Sequence, residues 1–103
     1  MVTSDKLEAA VRILSEATEA ARIVLFGSYA RGDAREDSDL DLLVIEPQVD
    51  DRAQEMVRLR RLLRPLRIPA DILVYSSEEA ARWGDQPGSP LYWALREGKV
   101  VHG

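Results

Sequence analysis

Cysteine is absent from this 103-residue sequence, and its one histidine, His102, is the residue before the last. Without thiols the chain can form no disulfide, no thiolate metal site and no cysteine nucleophile. Catalytic triads and zinc sites that need a positioned imidazole are not expected either. The lack of cysteine fits a reducing compartment, so we expect a cytoplasmic protein.

Long apolar runs are also missing. No stretch approaches the roughly 18–20 apolar residues of a membrane span, and the N-terminus lacks the pattern of a secretory signal, so no membrane association is expected. The net charge is −4, with five basic and eleven acidic residues in 1–50 against nine and seven in 51–103. This acidity argues against direct nucleic-acid binding. It favours a metal site or a solvated acidic face in the first half.

The hydrophobic pattern predicts a small α/β (α+β) domain that spans residues 1–103, with one mixed sheet of three or four strands flanked by helices. Polar, glycine and proline residues separate the predicted elements. The strands are expected at 23–26, 40–45 and 71–75, with a possible edge strand at 100–101. The helices are expected at 4–20, 51–64, from 77 onward and at 91–97, with one helical turn at 28–31.

Two helices carry apolar stripes. The first helix is expected to be capped by Ser4 or Asp5. Its predicted buried face consists of Leu7, Val11, Leu14, Ala17 and Ala21. The predicted buried face of the helix over 51–64 and the turn after it consists of Met56, Leu59, Leu62, Leu63 and Leu66. The arginines at 58–67 are expected to form its solvated side.

Two carboxylates, Asp39 and Asp41, begin the second predicted strand. Because strand side chains alternate, both point to one face, while Leu40 and its alternate neighbours point to the other. Adjacent carboxylates repel each other unless a cation lies between them, and Mg²⁺ prefers oxygen ligands. Asp71 begins another apolar strand, and if the two strands are neighbours it joins the pair. Three carboxylates there would hold two metal ions.

A glycine and a serine, Gly27 and Ser28, end the first predicted strand. Glycine lets the backbone approach a ligand closely, and the turn that follows offers N–H groups and a hydroxyl to a phosphate. Arg31 could add positive charge. A phosphate-binding turn and a metal site within about 15 residues of each other are typical of enzymes that catalyse phosphoryl or nucleotidyl transfer.

This arrangement resembles the nucleotidyltransferases of the DNA polymerase beta superfamily. Gly27-Ser28 is followed by ten residues and then by Asp39-Leu40-Asp41, with a third acid, Asp71, on a later strand. The resemblance is close over 22–45 and extends by order of elements over 1–80. In a chain this short, it is nearest to the minimal nucleotidyltransferase antitoxins encoded beside HEPN-domain toxins.

The resemblance implies the fold of that superfamily and a function. Asp39, Asp41 and Asp71 would hold two Mg²⁺ ions, with Asp71 also serving as base for the attacking hydroxyl. Gly27, Ser28 and Arg31 would hold the triphosphate of ATP. The expected reaction transfers AMP to a hydroxyl, with that of a tyrosine expected, on a cognate HEPN ribonuclease toxin, which is thereby neutralised in a hetero-oligomer.

Other interpretations stay open. The chain could neutralise a toxin by binding alone, or it could adenylylate a small molecule such as an antibiotic. Asp71 could be a turn residue, and Arg31 could pair with Asp33 or Glu36 instead of phosphate. Tyr29 could line the nucleotide site. The aromatic residues of the last third could anchor a partner or complete the core: Trp83, Tyr92 and Trp93.

Overall fold

The computed structural model describes residues 1–20 and 22–103. Four strands form one mixed sheet in the order β3-β2-β1-β4. They are β1 Arg22–Phe26, β2 Leu40–Glu46, β3 Ala70–Ser76 and β4 Lys99–His102. β1 runs antiparallel to both of its neighbours, and β2 runs parallel to β3. The expected mixed sheet flanked by helices is confirmed, including the edge strand, in which His102 pairs with Ile23.

Five α-helices and one 3₁₀ turn connect these strands within the described residues. They are α1 Ser4–Ala17, α2 Ser28–Arg31, α3 Arg52–Leu62, the 3₁₀ turn Arg64–Leu66, α4 Ser77–Trp83 and α5 Pro90–Glu97. None of these helices is long and apolar enough to cross a membrane.

Helices cover both faces of the sheet, so β2 is buried on both sides. On one face, Leu40, Leu42 and Val44 pack with Leu14 of α1 and Leu59 of α3. On the other face, the packing partners come from β1, β2 and α5, and they are Val24, Leu43, Ile45, Leu91 and Ala94. Asp41 alternates with Leu43 and Ile45, so it lies on the face that α5 covers.

The first helix begins at Ser4 as predicted, but its capping residue and its C-terminal end differ from the prediction. Thr3 is the N-cap, because its side chain accepts a hydrogen bond from the amide of Lys6 at 3.2 Å. The helix ends at Ala17, three residues early. Thr18 adopts an extended conformation there, and its hydroxyl donates to the carbonyl of Leu14 at 2.7 Å. Ala21, predicted to extend the apolar face, lies outside the described residues.

The third helix also ends early, at Leu62, and a 3₁₀ turn that contains Pro65 follows it. Leu59 and Leu63 are buried as predicted, but Leu62 is exposed. The stripe prediction was wrong for Leu62, which lies about 100° around the helix axis from Leu63 and so stands at the edge of the stripe, on the last residue of the helix. Asp51 caps the helix through its side chain.

Candidate active site

The two strands that carry the predicted acids are neighbours, and they begin at the same end of the sheet. Asp41 of β2 lies directly opposite Asp71 of β3 in the parallel register. The amide of Leu40 donates to the carbonyl of Pro69 at 2.8 Å, which fixes the two strand starts together. Asp41 is half-buried, whereas Asp71 and Asp39 are exposed.

The carboxylates of Asp41, Asp71 and Asp39 repel one another. Burial, followed by the negative charges of Asp71 and Asp39, raises the pKa of the Asp41 carboxyl above its ordinary value. Arg31 opposes this shift and Glu97 adds to it. A carboxylate held beside like charges is destabilised unless positive charge is brought to it. The site is therefore built to accept a cation or another positively charged group.

The donor chemistry fits Mg²⁺, which takes carboxylate and phosphate oxygens and needs one or two carboxylates from the protein. Asp41 and Asp71 supply that pair. The expectation that three carboxylates converge on two ions is not met in this conformation. Within the described residues, no group of three or more His, Asp or Glu side chains has the arrangement of a metal site. Asp39 precedes β2 and stands exposed outside the strand register, so the ladder does not fix its side chain.

The turn after β1 lies directly against this pair. Gly27 has φ +74° and ψ −154°, a conformation that side chains disfavour. A Cβ on Gly27 would overlap the carboxylate of Asp41, whose Cγ would be only 3.0 Å away. Glycine is required there for two reasons, the positive φ and the close approach. The predicted phosphate turn and the predicted metal ligand are thus in contact.

Some backbone groups of the Gly27 turn already form hydrogen bonds within the protein. The carbonyl of Gly27 accepts hydrogen bonds from the amides of Ala30 and Arg31 at 3.1 and 3.0 Å. Ser28 begins α2 and is half-buried beside them. The hydroxyl of Tyr29 accepts a bond from the amide of Val2 at 2.9 Å, and its ring packs on the core. Tyr29 therefore holds the N-terminal segment against the core.

One residue that contacts the Gly27 turn was not predicted from the sequence. Glu97, the last residue of α5, accepts a hydrogen bond from the amide of Gly27 at 3.1 Å. Arg31 lies 3.4 Å from both Glu97 carboxylate oxygens and 3.4 Å from Asp33. The Asp33 contact was one of the alternatives for Arg31. Glu97 could not be found because 70 residues separate it from Gly27 and no motif marks it.

A basic side chain of α3 also reaches the site. Nη2 of Arg60 lies 3.8 Å from Oδ1 of Asp71. The other arginine of this run with a defined acidic partner is Arg58, which pairs with Glu55 of its own helix at 2.7 Å. Arg60 therefore places positive charge beside the exposed end of the acidic pair.

The pairing of β2 with β3, the turn at Gly27 and the adjacent carboxylates of Asp41 and Asp71 indicate the class of protein to which the chain belongs. The chain belongs to the nucleotidyltransferase domain family, which it matches over residues 7–97. This confirms the superfamily inferred from the sequence motif.

Particular relatives share parts of the chain. The chain is 36% identical over 53 residues to "Putative protein adenylyltransferase MJ0141" of Methanocaldococcus jannaschii, a match that covers 52% of each protein. It is 62% identical over 24 residues to "Putative protein adenylyltransferase MJ0604" of the same organism, 23% of this chain and 24% of that protein. The chain thus spans about half the length, or less, of these curated relatives.

The fold also recurs in a solved structure. A chain in a crystal structure of a toxin-antitoxin with AMP-PNP superposes with a TM-score of 0.64 at 22% identity. The match covers 96% of this chain and 72% of that one. At this identity the likeness establishes a shared fold.

Proposed function

We propose that this chain is a Mg²⁺-dependent nucleotidyltransferase that transfers AMP from ATP to a hydroxyl of a partner protein in the cytoplasm. The observation that carries the proposal is the contact between the Gly27 turn and Asp41, with Asp71 directly opposite Asp41 in the sheet. A phosphate held at that turn would lie beside the two carboxylates. That is the arrangement that nucleotidyl transfer needs.

In the reaction, the acceptor oxygen forms a bond to the α-phosphorus of ATP. The bond from that phosphorus to the bridging oxygen of the β-phosphate breaks, and pyrophosphate leaves. Gly27, Ser28 and Arg31 would bind and orient the phosphates. Asp71 is exposed and would take the proton of the attacking hydroxyl. Asp41, Asp71 and Asp39 would hold Mg²⁺, which supplies charge neutralisation at the phosphates.

The proposed acceptor is a toxin of the HEPN class, modified on a tyrosine hydroxyl, with which the chain forms a hetero-oligomer. Three observations support a protein acceptor. Two relatives bear the name of protein adenylyltransferases, and the neighbour with the same fold belongs to a toxin-antitoxin structure that contains AMP-PNP. In addition, Asp39 and Asp71 stand exposed, so a large acceptor can reach the site.

Mass spectrometry of a candidate toxin tests the proposal. The toxin is incubated with this chain, ATP and Mg²⁺, and the expected result is a mass gain of one or more AMP units. The variant Asp39→Asn plus Asp41→Asn should give no gain. The matched control is Asp50→Asn plus Asp85→Asn, which changes the charge equally at two exposed positions and should retain full activity.

The competing function is neutralisation by binding alone. It is favoured if the toxin is inhibited equally well without ATP and without any mass gain. Transfer that persists in the Asp39 and Asp41 double variant would contradict the proposed site.

A further inference from the structure

The carboxylate of Glu97 occupies the donors assigned to the nucleotide phosphates. It accepts the Gly27 amide hydrogen bond at 3.1 Å, and both of its oxygens lie 3.4 Å from Nη1 of Arg31. An amide N–H and a guanidinium around one carboxylate form an anion site. The carboxylate of Glu97 therefore occupies the anion site that the Gly27 amide and the Arg31 guanidinium form.

The backbone of Glu97 is held close to this site. Strand β4 begins opposite Leu25, so the end of α5 lies at the same sheet end as Gly27 and Asp41. Leu91 and Ala94 anchor α5 in the core. At Gly98, a Cβ would collide with the carbonyl of Ala94 and the side chain of Val24. This close packing leaves side-chain rotation as the simplest way for the carboxylate to leave.

The contacts of the carboxylate are suited to release. The Gly27 bond has an ordinary length, but the two Arg31 contacts at 3.4 Å exceed the usual range for N–H···O bonds. The Glu97 and Arg31 side chains are 32% and 48% exposed, so water weakens their attraction. A phosphate with two or three charged oxygens would compete well for both donors.

We propose that Glu97 is an internal competitor of the nucleotide, whose carboxylate must rotate away from Gly27 and Arg31 before a phosphate can bind there. The inference rests on the proposed function, because it takes the Gly27 turn as the phosphate site. A single amide N–H makes one good hydrogen bond, so carboxylate and phosphate exclude each other. Glu97 therefore raises the nucleotide concentration at which the site fills.

The test is the affinity of the chain for ATP with Mg²⁺, measured by calorimetry for the wild type, Glu97→Gln and Glu97→Asp. Glu97→Gln removes the charge but keeps an acceptor for Gly27. Glu97→Asp keeps the charge but is one methylene too short to hold the Gly27 bond. We expect ATP to bind about tenfold more tightly to Glu97→Gln, as loss of a charged hydrogen-bond competitor predicts, and also more tightly to Glu97→Asp.

Two controls separate competition from a general change of charge. Glu78→Gln removes one charge from the exposed surface of α4, where Glu78 pairs with Arg82 at 2.9 Å, and should leave the affinity unchanged. Asp33→Asn removes a charge beside Arg31 without touching Gly27, and should have a smaller effect than Glu97→Gln. Thermal unfolding verifies that each variant folds.

Unchanged or weaker ATP binding by both Glu97 variants overturns the inference, and weaker binding would identify Glu97 as a residue that positions Arg31. Tightening by Glu97→Gln alone, matched by Asp33→Asn, also overturns it in favour of a simple field effect. If ATP binds to neither wild type nor variants, the proposed function fails as well, and that result differs from equal binding by all proteins.

Discussion

At the scale of single residues, the site brings two acidic side chains close to other negative charges. Asp41 is held among like charges, and Glu97 adds a further negative charge at the same sheet end. Such arrangements persist at functional sites because the surrounding structure enforces them. Gly27 is the residue that makes the arrangement possible, since it brings the turn into contact with Asp41.

Replacement of Gly27 by alanine should therefore abolish ATP binding. It should also lower the free energy of unfolding by about 2 kcal/mol or more, because the positive φ alone costs roughly 1–2 kcal/mol and the Cβ overlaps Asp41. Urea unfolding and calorimetry with ATP measure the two effects.

Alanine variants of two other glycines separate the effect of the positive φ from the effect of the Cβ overlap. Gly32 also has a positive φ, +84°, but has open space where a Cβ would stand, so Gly32→Ala should show the backbone strain alone. Gly88 has open space and no positive φ, so Gly88→Ala should change little. If Gly27→Ala and Gly32→Ala destabilise equally, overlap with Asp41 contributes nothing.

Glu46, at the far end of β2, makes stability depend on pH. Burial, then its hydrogen bond with Glu55 and the charge of Glu55, raises the pKa of Glu46 to about 7. Its Oε2 has no hydrogen-bond partner among the described residues. A raised pKa means that the folded state binds the proton more tightly than the unfolded state. The contribution of Glu46 to the free energy of unfolding should thus be greatest below the ordinary pKa of 4.5 and fall as the pH rises towards 7.

Glu46→Gln should remove most of this fall, which we expect to be about 1–3 kcal/mol for a shift of this size. Urea unfolding at pH 5 and pH 8 gives the measurement. The exposed Glu19→Gln is the control and should keep the slope of the wild type. An equal slope in Glu46→Gln would assign the pH dependence to other groups.

At the scale of elements, the junction of β3 with α4 ties three elements together away from the active site. Ser76 and Glu79 form a reciprocal capping box, with bonds of 3.1 and 3.0 Å. Arg52 of α3 pairs with Glu79 and donates to the carbonyl of Val74 at 2.9 Å. The junction follows the last residue of β3, whereas Asp71 lies near its first.

Ser76→Ala should destabilise the chain by about 1 kcal/mol, the usual effect of losing an N-cap, and leave the ATP affinity unchanged. Ser77→Ala is the matched control, since the hydroxyl of Ser77 makes one long contact of 3.4 Å with the carbonyl of Glu46. Denaturant midpoints and calorimetry give the two readouts. A loss of ATP affinity in Ser76→Ala would mean that the two ends of β3 are coupled.

Local pattern predicted the elements well but not how they meet. Alternation in β2 correctly predicted that Leu40, Leu42 and Val44 share one buried face, but the residues Leu43 and Ile45 on the opposite face are buried as well. The end of α1 was missed because the hydroxyl of Thr18 bonds its own helix, a local competition that periodicity does not encode. The partner of Gly27 was missed because α5 reaches it only through the pairing of β4 with β1.

At the scale of the whole molecule, large apolar side chains stand exposed near the elements that carry the site. Trp93 is 56% exposed on α5, and one helical turn separates it from Glu97. Residues four apart share a helix face, so Trp93 lies on the same face of α5 as Glu97, which contacts Gly27. Its ring is held by an edge contact with Tyr92 at 5.0 Å between centroids. An exposed tryptophan one helical turn from Glu97 is a suitable anchor for a protein acceptor.

Trp93→Ala should therefore weaken binding of the proposed toxin by roughly 30-fold, the effect of losing an interface hot spot of about 2 kcal/mol. The ATP affinity should stay unchanged, because Trp93 contacts neither Gly27 nor Arg31 through any hydrogen bond or ion pair in the described residues. Val57→Ala, an exposed apolar position on α3, is the control and should bind the toxin normally. Surface plasmon resonance with immobilised toxin gives the toxin affinity of each variant, and calorimetry gives the ATP affinity. If Trp93→Ala binds the toxin like the wild type while transfer proceeds, the acceptor approaches from the side of Asp71 and Arg60 instead.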